Sequence, residues 1–66
     1  MKKFSEKNNL KRFRLLRFLS QLDLAEKSHI SQSRISLIEN DYTKVTRKET
    51  EKLAVILGVS ALELFP

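Results

Sequence analysis

The chain has 66 residues, which is enough for one domain, and it contains no cysteine and a single histidine. These counts exclude disulfide bonds and leave too few nitrogen and sulfur ligands for a typical zinc site, so we expect no metal and no other cofactor. Thirteen basic against eight acidic side chains give a net charge of +5. The longest apolar run, Leu53 to Leu57, is far too short to cross a bilayer, so we expect a cytoplasmic location.

The positive charge is concentrated at the start of the chain. Residues 1–8 are polar, basic and without periodicity, which predicts a flexible basic arm ahead of one domain, residues 9–66. A basic block suits DNA phosphates or anionic lipid, although an ordinary solvated face would have the same composition. Up to Arg17 only Glu6 is acidic, and the basic residues of this segment are Lys2, Lys3, Lys7, Lys11, Arg12, Arg14 and Arg17.

Two helices are predicted in the first half of the chain. Asn9 is suited to cap a helix from Leu10 to about Leu19. Ser20 is suited to open the second helix, because its hydroxyl can accept a hydrogen bond from a first-turn amide. Asp23, three residues later, can accept a bond from the Ser20 amide in return, which is an acidic variant of the capping box.

Three further helices follow. Ser31 caps a third helix through Asn40, and the capping box Thr46–Glu49 opens a fourth helix. Gly58 stands where a left-handed C-cap is needed. A further capping box, Ser60–Glu63, opens a short last helix that stops at Pro66. Five helices and no predicted strand make the expected fold class all-α.

The stretch from Gln21 to Asn40 has the pattern of a helix-turn-helix. Ala25 is important because two helices that cross steeply through a tight turn leave room there for only a methyl group. The apolar positions on either side anchor the second helix of the pair and leave its opposite, polar face free to project. The small and apolar positions of this stretch are Leu24, Ala25, Ile30, Ile35 and Ile38.

This pattern resembles the helix-turn-helix of the lambda repressor and Cro-type family, also called the XRE family. The resemblance extends to the first helix (LKRFRLLRFLSQ), the end of the third (IEN) and the last two (LAVILGVSALELF), and covers Leu10 to Phe65. It implies a five-helix domain that binds double-stranded DNA, regulates transcription as a repressor or an activator, and works as a homodimer. No nucleophile–base pair or phosphate-binding glycine loop is present, so we expect no enzymatic activity.

The resemblance also assigns candidate DNA contacts. An amide suits adenine, a leucine can contact a thymine methyl, and an arginine suits guanine or a phosphate. The alternative without any DNA contact is that these side chains are helix caps and solvated surface groups. The base-reading candidates are Gln32, Ser33, Arg34, Ser36 and Leu37, and the phosphate-contacting candidates are Arg14, Gln21, Asn40, Lys44 and Arg47.

Arg14 and Glu39 match a pair of family positions that join the first helix to the end of the third, so we expect an ion pair here. At other positions the sequence departs from the family. His29 and Asp41 replace glycines in turns, where positive φ is needed, and Phe18 replaces a glycine after the first helix.

Two protein contacts are also predicted. Short members of the family pair through the last helix, which implies a dimer interface at Leu62, Leu64 and Phe65. In addition, unusual apolar residues suggest a second hypothesis, a protein-interaction module such as an antitoxin that holds a partner protein. A membrane surface is a third candidate partner for the basic start of the chain, but DNA binding explains more of the sequence. The apolar residues that would dock a partner protein are Leu15, Leu16, Leu22 and Leu37.

Overall fold

The computed structural model describes residues 8–66, and this part of the chain is helical without any strand. It confirms the all-α, five-helix prediction. The flexible arm predicted for residues 1–8 lies outside the described residues, with the exception of Asn8. Within residues 8–66, no helix is long and apolar enough to span a membrane. The helices are α1 Leu10–Leu16, α2 Gln21–Ser28, α3 Gln32–Glu39, α4 Arg47–Leu57 and α5 Ala61–Leu64.

The predicted helix starts are confirmed by hydrogen bonds. Ser20 Oγ accepts from the Asp23 amide and Asp23 Oδ2 accepts from the Ser20 amide, each at 2.9 Å, and α4 and α5 begin with equivalent capping boxes. Ser31 Oγ accepts from the Arg34 amide at 3.1 Å. These caps satisfy amides that have no partner inside the helix, and so set where each helix begins.

The first helix differs from the prediction at both ends. It ends at Leu16 instead of Leu19, because Phe18 has a left-handed backbone conformation (φ 59°). Asn9 occupies the N-cap position, but its side chain donates to the carbonyl oxygen of Glu63 at 2.8 Å. Asn8 Oδ1 instead accepts from the Leu10 amide at 3.0 Å. Asn8 is therefore part of the folded domain and not of the arm.

The core confirms the predicted helix-turn-helix packing, and it corrects one dimer-interface prediction. All five apolar positions of the motif are buried, together with residues from α1, α4 and α5. Leu64 is completely buried, so its side chain has no surface to offer a partner and stabilises the core instead. The core residues are Leu10, Leu24, Ala25, Ile30, Ile35, Ile38, Leu53, Leu57 and Leu64.

The turns without glycine adopt the conformation that glycine would have. His29 (φ 59°) and Asp41 (φ 58°) are both left-handed, as is Gly58 (φ 70°) at the end of α4. Ser28 lies beneath the first of these turns, with 2% of its surface exposed, and its Oγ accepts from the Ile30 amide at 3.2 Å. A local hydrogen bond from the Ile30 amide to the Ser28 hydroxyl thus stabilises the turn between α2 and α3.

Candidate nucleic-acid interface

A shallow groove, which we call the α3 groove, runs along the outer face of α3 and includes the start of α2. The predicted core positions Ile35 and Ile38 hold the back of α3 in the core and are 0% and 1% exposed. This anchorage leaves the opposite face open to solvent. The groove gathers four of the five predicted base-reading residues with one predicted phosphate contact, and its lining is Gln21, Gln32, Ser33, Ser36 and Leu37.

A buried ion pair joins α1 to the end of α3 beside this groove. Arg14 Nε donates to Glu39 Oε2 at 2.6 Å, and 7% and 2% of the two side chains are exposed. Arg14 Nη1 also donates to the Leu19 carbonyl oxygen at 2.8 Å, and Gln21 Nε2 donates to Glu39 Oε1 at 3.0 Å. The predicted pairing is confirmed. The guanidinium of Arg14 faces inward, so the structure gives no support to its predicted phosphate contact.

Arg34, the fifth predicted base-reading residue, does not line the α3 groove. Its guanidinium binds both carboxylate oxygens of Glu49, with Nε–Oε2 at 2.9 Å and Nη2–Oε1 at 3.0 Å. It also donates to Thr43 Oγ1 at 2.9 Å and to the Lys44 carbonyl oxygen at 2.8 Å. Four of the five N–H donors of an arginine are therefore engaged within the protein. In this structure Arg34 connects α3 to the loop that follows it and to α4.

In the Arg34–Glu49 pair, each residue stabilises the charged form of the other. The hydrogen bond from Arg34 is the main reason that the pKa of Glu49 falls to about 2, and the Thr46 amide lowers it further. The same contact raises the pKa of Arg34. Sequence reasoning assigned Glu49 only to the α4 capping box, because a partner 15 residues earlier leaves no periodic pattern.

The remaining predicted phosphate contacts lie at the end of α3 and beyond it. Asn40 Nδ2 donates back to the Ser36 carbonyl oxygen at 2.8 Å. Lys44 is exposed in the loop after α3, and the Arg47 side chain is 94% exposed, with its Nε 3.4 Å from Glu51 Oε2. Lys44 and Arg47 are accessible cations that follow α3 in the chain, and their phosphate contacts stay a prediction.

Comparison with protein families settles which kind of domain this is. The family profile described as "Helix-turn-helix" matches residues 10–64. The chain belongs to this family, the helix-turn-helix of lambda repressor and XRE type. No curated protein matches the chain. The family comprises DNA-binding regulatory domains that are generally not enzymes, and α2 and α3 are the two helices of the motif.

The last helix of this helix-turn-helix domain and its C-cap residue bring two large apolar side chains to the surface besides the buried Leu64. Leu62 is 76% exposed and Phe65 is half-buried. Both line a surface groove between α4 and α5, together with Val45, Arg47, Thr50, Glu51 and Ala61. Two of the three predicted dimer residues therefore reach the surface at one place.

Proposed function

We propose that this helix-turn-helix domain is a sequence-specific transcriptional regulator that places α3 in the major groove of double-stranded DNA. The observation that carries this proposal is the α3 groove, where an amide, two hydroxyls and a leucine point outward from a helix whose back is fixed in the core. A major groove about 12 Å wide admits an α-helix presented in this way.

The polar side chains of the groove have the chemistry of base reading. Gln32 and Ser33 are exposed at the first turn of α3, the part of a recognition helix that meets base edges. The Gln32 amide can pair with N6 and N7 of adenine, and a serine accepts several bases. Leu37 is 44% exposed and is suited to contact a thymine methyl.

Phosphate contacts would position this helix. Gln21 is the first residue of α2, so unpaired backbone amides lie beside its side chain. Lys44 and Arg47 supply exposed positive charge, and Asn40 is the exposed C-cap of α3. The net charge of +5 favours binding to a polyanion of any sequence. Base contacts in the α3 groove are then needed for specificity.

We further propose that the domain acts as a homodimer on two half-sites about 34 Å apart, since one such domain reads only a few base pairs. Leu62 and Phe65 are the surface residues that favour pairing through α5. Leu64 supports this surface from the core instead of forming part of it.

Selection of bound sites from a random pool of DNA duplexes tests the proposal. We expect enrichment of a symmetric site, with affinity that falls steeply as salt rises because counterions are released. Gln32→Ala should lower affinity for the selected site by roughly 5- to 150-fold, and Ser33→Ala by a smaller factor, while binding to mixed-sequence DNA is unchanged. Val55→Ala is a matched control, because Val55 is 82% exposed on α4 outside the groove. Equal effects of these three variants would overturn the proposal.

A protein-interaction module is the second candidate function. The observation in its favour is a run of apolar residues on the α1–α2 surface: Leu15 and Leu16 are each 54% exposed, Phe18 is 93% exposed and Leu22 is 53% exposed. Neither the core nor the α3 groove uses them. Absence of salt-dependent binding to mixed-sequence DNA would favour this candidate over the regulator.

A further inference from the structure

The α3 groove has no charged side chain, although α3 itself carries two charged residues. The Glu39 side chain is 2% exposed and paired with Arg14, and Arg34 is bound to Glu49. The groove-lining residues are all neutral: two glutamines, two serines and a leucine. The lining of the reading surface therefore has amide and hydroxyl groups and one apolar contact, but no guanidinium or ammonium group.

We propose that Glu49 withholds Arg34 from DNA, so that the α3 groove selects half-sites centred on A·T base pairs and not on guanine. This inference rests on the proposed function and specifies its substrate class. It assigns Glu49 the role of a specificity-determining residue that acts through Arg34 and touches no DNA.

The geometry of the pair explains why Arg34 stays in place. Both carboxylate oxygens of Glu49 face the guanidinium, at 2.9 and 3.0 Å, a fork-shaped contact that orients both groups. Thr43 Oγ1 and the Lys44 carbonyl oxygen accept two more of its hydrogen bonds. To reach a base, Arg34 would have to leave all four acceptors, and the Glu49 carboxylate would lose its partner with only 18% of its side chain exposed.

The remaining side chains determine which base pairs suit the groove. Guanine presents two acceptors, N7 and O6, and the strongest discrimination for them comes from a bidentate arginine or lysine. Gln32 pairs bidentately with adenine, and Leu37 matches the thymine methyl. Ser33 and Ser36 accept either pair. With Arg34 held away, the groove has specific partners for adenine and thymine and none for guanine.

Site selection with three proteins tests this inference. The wild type should enrich A·T pairs at the central positions of each half-site, and Arg34→Met should enrich the same bases. Glu49→Gln should gain a guanine preference of roughly 5- to 150-fold at one position, because it removes the negative charge and one of the two side-chain oxygens that hold Arg34. Glutamine is a normal capping-box residue, so the start of α4 is preserved in this variant. The double variant Glu49→Gln/Arg34→Met should lose the guanine preference that Glu49→Gln gains.

Two outcomes would overturn the inference. One is a guanine in the wild-type site that disappears in Arg34→Met, since Arg34 would then read DNA directly. The other is a folded Glu49→Gln protein, checked by circular dichroism, that selects the wild-type site unchanged. Failure of the wild type to enrich any sequence would instead overturn the proposed function itself. If Glu49→Gln does not fold, comparison of the wild type with Arg34→Met still tests whether Arg34 reads a base in the wild type, and a guanine lost in Arg34→Met would overturn the inference.

Discussion

Glu39 Oε2 lies 2.6 Å from Arg14 Nε, and this contact ties the end of the recognition helix to α1 in a site where 2% of the Glu39 side chain is exposed. The Leu19 carbonyl oxygen and the Gln21 amide complete the hydrogen bonding. The pair is thus a structural connection with further hydrogen bonds to both of its members. Its loss should affect stability before it affects DNA contacts.

Arg14→Ala should strongly destabilise the domain, because it leaves the Glu39 carboxylate buried without its counter-ion. Breaking a buried pair in this way costs about 3–5 kcal/mol, and a domain of this size loses roughly 4–8 °C of melting temperature per kcal/mol. Thermal unfolding followed by circular dichroism measures the effect. Arg12→Ala is the control, since Arg12 is an exposed arginine of the same helix. If both variants melt at the same temperature, the pair has no structural role.

The Arg34–Glu49 pair predicts a dependence of stability on pH. A carboxyl group whose pKa falls on folding stabilises the folded state above its unfolded pKa, near 4.5, and this stabilisation is lost as the pH falls toward 2. Arg34→Met should therefore lower the free energy of unfolding at pH 7 by about 1–3 kcal/mol. The upper value neglects screening by solvent, which weakens a partly exposed ion pair. The difference from the wild type should shrink between pH 5 and pH 2.

Urea unfolding at pH 7, 5, 3 and 2 checks this expectation, with Arg47→Met as the control. Arg47 forms an exposed pair with Glu51, with 94% and 65% of the two side chains accessible, so its removal should change stability by only ~0.5 kcal/mol or less. A destabilisation by Arg34→Met that stays constant over this pH range would show that lost packing, and not the ion pair, is responsible.

Phe18→Gly should stabilise the protein. Phe18 has φ 59°, the residue is 93% exposed, and the left-handed conformation costs a non-glycine residue roughly 1–2 kcal/mol. Glycine removes this cost and gives back part of the gain as chain entropy, so we expect a net gain of about 0.5–1 kcal/mol. Phe18→Ala, which removes the ring but keeps the Cβ, should show no such gain in thermal unfolding. Equal stabilisation by both variants would assign the effect to the ring.

Much of the fold could be predicted because it depends on local patterns. The capping boxes at Ser20, Thr46 and Ser60 need only two residues three positions apart, and the left-handed turn at His29 follows from its place in the helix-turn-helix motif. The Arg14–Glu39 pair was also predictable, but only from the resemblance to a family. Each of these features could be predicted either from residues close together in the sequence or from positions that match the family pattern.

The other results depend on contacts that no local pattern reveals. Arg34 lies on the edge of α3, where helical periodicity allows it to face either the groove or α4, and Glu49 decides between them from 15 residues away. Leu62 and Leu64 both lie in α5, a helix of only four residues. A helix this short has too few positions for the spacing of its apolar residues to show which leucine faces the core. Asn8 caps α1 through a side chain whose other contacts, Ile38 and Asp41, are 30 and 33 residues distant.

The proposed dimer leads to a prediction that separates pairing from DNA contact. Leu62→Asp places a charge on the exposed apolar residue of α5, and in a symmetric dimer the cost is incurred twice. Affinity for a DNA duplex with two half-sites should fall by at least ~10-fold, because burying a leucine is worth roughly 1.5–3 kcal/mol. Affinity for a single half-site should change little.

Val55→Asp makes this measurement decisive, since Val55 is as exposed as Leu62 (82% against 76%) and lies outside the α4–α5 groove. Both substitutions add one negative charge to a basic domain, so both weaken phosphate attraction to a similar degree on either DNA. Only a surface that joins two copies makes the loss larger on the two-site duplex than on the one-site duplex. If Leu62→Asp and Val55→Asp show the same ratio of the two affinities, α5 does not mediate pairing, and the half-sites are occupied independently or through another face.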